Sequence, residues 1–129
     1  MESEVLLIDD NPSQLTIREL VLRDAGFAVS IATTADGALA LMRSQPFADG
    51  LGVIVTDHVM PGASGADFVR ELRRVNSDVP VIVITGLAEA EHEYDGLQVT
   101  FLHKPCPPPQ LIQTVRNALQ GGAAQRGSG

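Results

Sequence analysis

The polar residues of this chain that could do chemistry stand where its apolar runs end. Residues 6–13 read LLIDDNPS, so Asp9 and Asp10 follow an aliphatic run directly. Asp57 follows VIVT at 53–56, Thr85 closes VIVIT at 81–85, and Lys104 comes just after VTFL at 99–102. Two adjacent like charges at the exit of a core are penalised by repulsion and desolvation unless a cation or water takes up the charge. If the fold also brings Asp57 to them, three carboxylates cannot all stay ionised cheaply. A hard divalent cation resolves the conflict, and Mg²⁺ favours oxygen ligands, few protein carboxylates and retained waters, often with a bridge to a phosphate. Lys104 could neutralise a carboxylate at rest and a phosphoryl oxygen afterwards. The Thr85 hydroxyl could donate to a phosphoryl group, and Gly86 leaves its backbone N–H open to close approach. A carboxylate is also a competent nucleophile that can form an aspartyl phosphate. The set suits phosphoryl transfer onto an Asp with the help of one Mg²⁺, and spacing alone leaves open which Asp is the nucleophile.

The elements that must position these groups are legible in the hydropathy pattern. β-rich apolar runs recur at 5–8, 28–32, 53–56, 81–85 and 99–102, several of them nearly continuous, as in strands covered on both faces. Helical patterns alternate with them. Asn11 can cap a first helix with Pro12 at its start, an inward stripe of Ile17, Leu20 and Val21, and Gly26 at its stop. Thr34 can cap a second, with Ala38, Leu41 and Met42 inward. Ser64 can cap a third carrying Phe68, Leu72 and Val75. Prolines 107 to 109 open a last helix with Leu111, Val115 and Leu119 on one side. Between strands four and five, LAEAEHEYDG has room only for a short helix with Leu87, Ala90 and Tyr94 inward. Strand and helix alternating five times predict a doubly wound α/β fold, a single flavodoxin-like five-stranded parallel sheet in the order 2-1-3-4-5. In that order strands one and three are neighbours, so Asp9, Asp10 and Asp57 reach one sheet edge, at the switch point where ligands of such sheets bind.

Composition narrows the function classes. The chain of 129 residues is one domain by length, with 44% hydrophobic residues, 4% aromatic and no Trp, so its core is aliphatic. A net charge of −7 argues against a main role in holding nucleic acid or an anionic membrane. The single Cys106 cannot form an internal disulfide, no apolar stretch reaches a membrane span, and MESE lacks the features of a secretory signal; the expectation is a cytoplasmic protein. Residues 1–120 are expected to form the domain, and GGAAQRGSG at 121–129 a flexible tail or linker.

LIDDN, VIVTDHVMPGASG, VIVITG and FLHKP resemble, in order, the motifs of response-regulator receiver domains of two-component signalling, over roughly residues 4 to 120. The resemblance implies that Asp57 is the phosphoacceptor and that Asp9 and Asp10 serve the Mg²⁺ together with it and the backbone carbonyl of Val59. It further implies that Thr85 is the switch hydroxyl, Lys104 the family's lysine, Phe101 the rotamer switch, and Lys104–Pro105 a cis peptide. The implied partner is a histidine kinase or histidine phosphotransfer domain that donates from phosphohistidine, and the implied role is regulatory, with no enzymatic turnover beyond self-phosphorylation. Two departures stand out: a longer PFADGLG segment before strand three, read as a surface loop, and a stretch from Thr85 to Lys104 about one helical turn short. The shortened fourth helix makes its face an unsuitable dimer interface, so a monomer, or a dimer built elsewhere, is expected.

Two other readings compete for these residues. A haloacid-dehalogenase-like Mg²⁺ phosphatase also uses a strand-end Asp, but its pattern D-x-D-x-[TV] is not met by DDNPS. A degenerate receiver serving as a protein-binding scaffold should lack an acceptor, metal acid or lysine, and all are present. For the remaining polar residues the plain readings lead: His58 a solvent-facing rim residue, Cys106 an ordinary thiol, and Arg70, Arg73 and Arg74 a solvated helix face.

Overall fold

The computed structural model describes residues 4–59, 64–76, 78–86 and 88–128. Five strands, β1 (Glu4–Ile8), β2 (Ala28–Ala32), β3 (Leu51–Asp57), β4 (Val81–Thr85) and β5 (Thr100–His103), form one parallel sheet in the order β2-β1-β3-β4-β5. The helices are α1 (Pro12–Asp24), α2 (Ala35–Met42), α3 (Gln45–Gly50), α4 (Gly65–Val75) and α5 (Pro108–Ser128), with a 3-10 helix at Ala88–Tyr94 between β4 and β5. This is the expected flavodoxin-like arrangement. Side chains alternate across the sheet. Leu6, Ile8, Ile54 and Val83 pack under α2 and α4 against Phe68 and Leu72, while Val5, Leu7, Val55 and Ile84 pack on the other face with Leu22, Leu111 and Val115.

The expected starts of the helices are built as capping chemistry requires. Asn11 accepts from the Gln14 N–H at 3.0 Å and Thr34 from the Gly37 N–H at 2.9 Å. Ser64 and Asp67 exchange side-chain and backbone bonds in a capping box. Gly26 follows α1 at φ +101°, a conformation suited to glycine.

The inward faces differ from expectation at several points. On α1 the sheet receives Leu15 and Leu22, while Ile17 and Leu20 are 59% and 63% exposed. Both stripes are apolar, and periodicity alone cannot choose between them. Leu39 joins Ala38 and Met42 in the core, with Leu41 partly buried against it, and Val75 is exposed. PFADGLG is no loop: it forms most of α3, whose Phe47 and Ala48 pack against the core. Helix α5 runs on through residues 121–128, the stretch read from sequence as a tail or linker.

Arg73 is no solvated residue either. Its guanidinium donates to the carbonyls of Val79 at 2.8 Å, Leu97 at 3.0 Å and Gln98 at 3.0 Å, tying α4 to the chain that enters β5. Arg70 bonds Asp67 at 2.8 Å and the Glu93 carbonyl at 3.1 Å.

The shortened element before β5 is a 3-10 helix of seven residues, longer than such helices usually run. Ala90 and Tyr94 are buried as expected; Leu87 lies outside the described residues. In hydrogen exchange the amides of 90–94 should therefore open much more readily than those of 68–72 in α4. Equal protection of the two segments would contradict this.

Candidate functional site

The strand ends place the reactive groups. Asp57 is the last residue of β3, paired with Ile84 of β4, and Asp9 follows β1 with its N–H on the Ala32 carbonyl at 3.2 Å. Asp9 and Asp57 are only 1% and 3% exposed. Lys104, held after β5 by its N–H on the Thr85 carbonyl, puts Nζ 3.0 Å from Asp57 Oδ2. The Val59 N–H donates to Asp57 Oδ1 at 3.2 Å, and the Asn11 N–H to Asp9 Oδ1 at 2.9 Å. Thr85 is 2% exposed and Phe101 partly buried. The Lys104–Pro105 peptide is cis.

Two of the three expected carboxylates converge and the third stays outside. Asp10 is exposed, and among the described residues no group of three or more His, Cys, Asp or Glu side chains is close enough to hold a metal ion. A cation is nonetheless present between the two buried acids. Arg18 Nη1 lies 2.7 Å from Asp9 Oδ2 and 3.7 Å from Asp57 Oδ2. The pocket is thus a cation site by its chemistry, with hard oxygen donors of the kind a divalent ion prefers. Burial pushes the Asp9 carboxyl above its ordinary pKa, against the hydrogen bond from Asn11; the neighbouring Asp57 and Asp10 charges raise it further and the Arg18 guanidinium opposes them.

The motif pattern does not single out Arg18. The available signal was its place three residues after Leu15 and four before Leu22, the stripe that α1 turns toward the sheet.

His58 departs from the rim position expected of it. It is 6% exposed, and its Nδ1 shares a 2.7 Å hydrogen bond with the Tyr94 phenol. Burial, followed by the charge of Glu93, pushes the Tyr94 phenol above its ordinary pKa, so the phenol keeps its proton and can donate it to Nδ1. The other ring nitrogen then faces Glu93 at 3.8 Å. Tyr94 also meets Phe101 edge to face, with ring centroids 5.3 Å apart. A continuous path of contacts thus runs from Asp57 through His58 and Tyr94 to Phe101. Gly65 makes room for it: a Cβ there would run into the Tyr94 hydroxyl oxygen and stand 3.1 Å from the Asp57 carbonyl. Cys106 is a partly buried thiol whose pKa burial raises, which suits an unreactive role. Met60, Pro61, Gly62 and Ala63, the middle of the motif after Asp57, lie outside the described residues.

The buried acids, the lysine and the threonine hydroxyl all stand at the switch point of a doubly wound parallel sheet, where such folds bind ligands. The chain belongs to the response regulator receiver domain family, whose model matches residues 5–116. It is 38% identical over 122 residues to the C4-dicarboxylate transport transcriptional regulatory protein DctD of Pseudomonas aeruginosa, covering 92% of this chain and 26% of that protein. To the transcriptional regulatory protein CusR of Escherichia coli K12 it is 29% identical over 124 residues, covering 94% of this chain and 53% of that one. Among solved structures, a response regulator receiver domain protein from Clostridium thermocellum matches with a TM-score of 0.86 at 25% identity, covering 95% of this chain and 98% of that one. A CheY-like receiver from Methanospirillum hungatei shares the fold, with a TM-score of 0.88 at 20% identity over 97% and 99% of the two chains. The chain spans about a quarter to a half of the length of the curated relatives it matches. No helix among the described residues is long and apolar enough to cross a membrane.

The His58–Tyr94 bond is buried, so Tyr94→Phe should cost about 1–3 kcal/mol by leaving the imidazole nitrogen without a partner. The exposed His103–Glu91 pair at 2.6 Å should be worth about 1 kcal/mol or less when His103→Ala removes it. Urea unfolding followed by circular dichroism measures both, and a neutral Tyr94→Phe would contradict the assignment.

Proposed function

We propose that this receiver takes a phosphoryl group from a phosphohistidine donor onto Asp57. One observation carries the reading: Asp57 is a buried carboxylate at the end of β3, with Lys104 Nζ on its Oδ2 and Asp9 beside it. An oxygen of Asp57 attacks phosphorus as the P–N bond of phosphohistidine breaks, and the imidazole leaves with the electron pair. Lys104 holds Asp57 oriented at rest and follows the phosphoryl oxygens once they arrive. Thr85 supplies a hydroxyl to the same phosphoryl group, and Phe101, already against Tyr94, passes the change to the face between β4 and β5.

Asp9, Asp10, Asp57 and the Val59 carbonyl would hold a Mg²⁺ ion, which when bound shields the charge between the attacking carboxylate and the phosphoryl group. The partner is a histidine kinase or a histidine phosphotransfer domain, and the domain regulates without turnover of a substrate of its own. The transcriptional regulators it resembles carry sequence beyond the part this chain matches, and an output reached through such sequence or through a separate partner fits the reading.

Incubation with Mg²⁺ and a small phosphoramidate, followed by intact mass, tests the acceptor. Wild type should gain one phosphoryl group, Asp57→Asn none, and Lys104→Ala should still accept the group. A phosphate adduct on Asp57→Asn would overturn the assignment.

A further inference from the structure

We propose that Arg18 is a tethered cation that occupies the acidic pocket in the resting state and must leave Asp9 before a divalent ion can bind there. The proposal rests on the reading of the pocket as a Mg²⁺ site. Leu15 and Leu22 anchor α1 on the sheet, and Arg18 lies between them on the same stripe, so its backbone is fixed beside the pocket. Its side chain is 13% exposed, and at 2.7 Å its Nη1 makes a charge-assisted hydrogen bond of the short kind to Asp9 Oδ2. The same nitrogen is 3.7 Å from Asp57 Oδ2, whose nearer counter-charge is Lys104 at 3.0 Å. Arg18 is therefore chiefly the partner of Asp9, and Lys104 of Asp57.

A divalent ion cannot join this arrangement as it stands. Asp9 Oδ2 already carries a guanidinium N–H, and a second cation beside Arg18 would be repelled at close range in a poorly solvated site. Binding is then an exchange of guanidinium for metal. Asp10, exposed and next to Asp9 in the chain, can meet the incoming ion from solvent. Arg18 has somewhere to go: a groove of about 160 Å³ runs between α1 and the start of α5, lined by Arg18 with Gln14, Ile17, Val21, Cys106 and Leu111. The apolar stem can lie along it while the charged head reaches water.

Exchange lowers the pocket's apparent affinity for the metal by the strength of the Arg18–Asp9 contact, and removing the guanidinium restores it. Calorimetric titration of MgCl₂ into the full chain at constant ionic strength measures this. Arg18→Met should bind Mg²⁺ about tenfold more tightly than wild type or better, and Arg18→Gln should move in the same direction. A second readout uses unaltered protein: the Arg18 Nε–H resonance should shift as Mg²⁺ is added, in step with the amides of Asp9 and Asp10.

Equal or weaker Mg²⁺ binding by both variants, or an Arg18 resonance that stays in place while those amides move, overturns the proposal and leaves the metal site standing. Absence of Mg²⁺ binding in wild type and in both variants overturns the metal reading, and the proposal with it.

Discussion

Confinement of two like charges governs this molecule. Asp9 and Asp57 are almost wholly removed from water at the ends of adjacent strands, near enough for one guanidinium nitrogen to lie within ion-pair distance of both. Bare carboxylates in such a place would take up protons or force the strand ends apart. They are held by two cations from distant parts of the chain, Arg18 from α1 and Lys104 from the segment after β5, and by backbone N–H groups of Asn11 and Val59. The balance is local and narrow. A pocket so composed is poised for a change in charge, whether a metal entering, a phosphoryl group arriving or a cation leaving.

The rest of the fold supplies the constraint and transmits its consequences. Parallel strands covered by helices on both faces leave few ways to move a strand end without disturbing the core. Gly65 lets the start of α4 come close to the exit of β3 and to Tyr94. Tyr94 in turn pins the short 3-10 helix to His58, the residue after Asp57, while Arg73 and Arg70 fasten α4 to the same region through backbone carbonyls. The short 3-10 helix is thus tied directly to the charged site. A change at Asp57 reaches it in two contacts.

Much of this is legible in the amino-acid sequence. The apolar runs fixed five strands because fully covered parallel strands are nearly continuous in hydrophobic residues, and strand order then brought Asp9, Asp57 and Lys104 to one edge. What stayed hidden depended on rotation and tertiary partners. Helix α1 carries two apolar stripes, and choosing the wrong one left Ile17 and Leu20 inward and Arg18 out of sight. His58 is polar and follows an acidic residue, so nothing in its local sequence foretells burial; its partner Tyr94 is 36 residues away. Arg73 resembled its exposed neighbour Arg74 because only the path of 97–98 shows that carbonyls wait for it. The segments that became α3 and the end of α5 look like linkers when glycine and proline are counted without the helices they extend.

The account stands or falls on charge balance in the pocket, and a double-mutant cycle between Lys104 and Asp57 tests it most directly. Unfolding free energies of wild type, Lys104→Met, Asp57→Asn and the double variant would be measured by urea denaturation in chelator. Lys104→Met alone should destabilise by about 1–3 kcal/mol, less than the loss from a wholly buried pair because the lysine side chain is 36% exposed. In the Asp57→Asn background the same change should cost little, giving a coupling of about 1 kcal/mol or more. Additive effects, within about 0.3 kcal/mol, would contradict the claim that the lysine is there to balance the buried carboxylate.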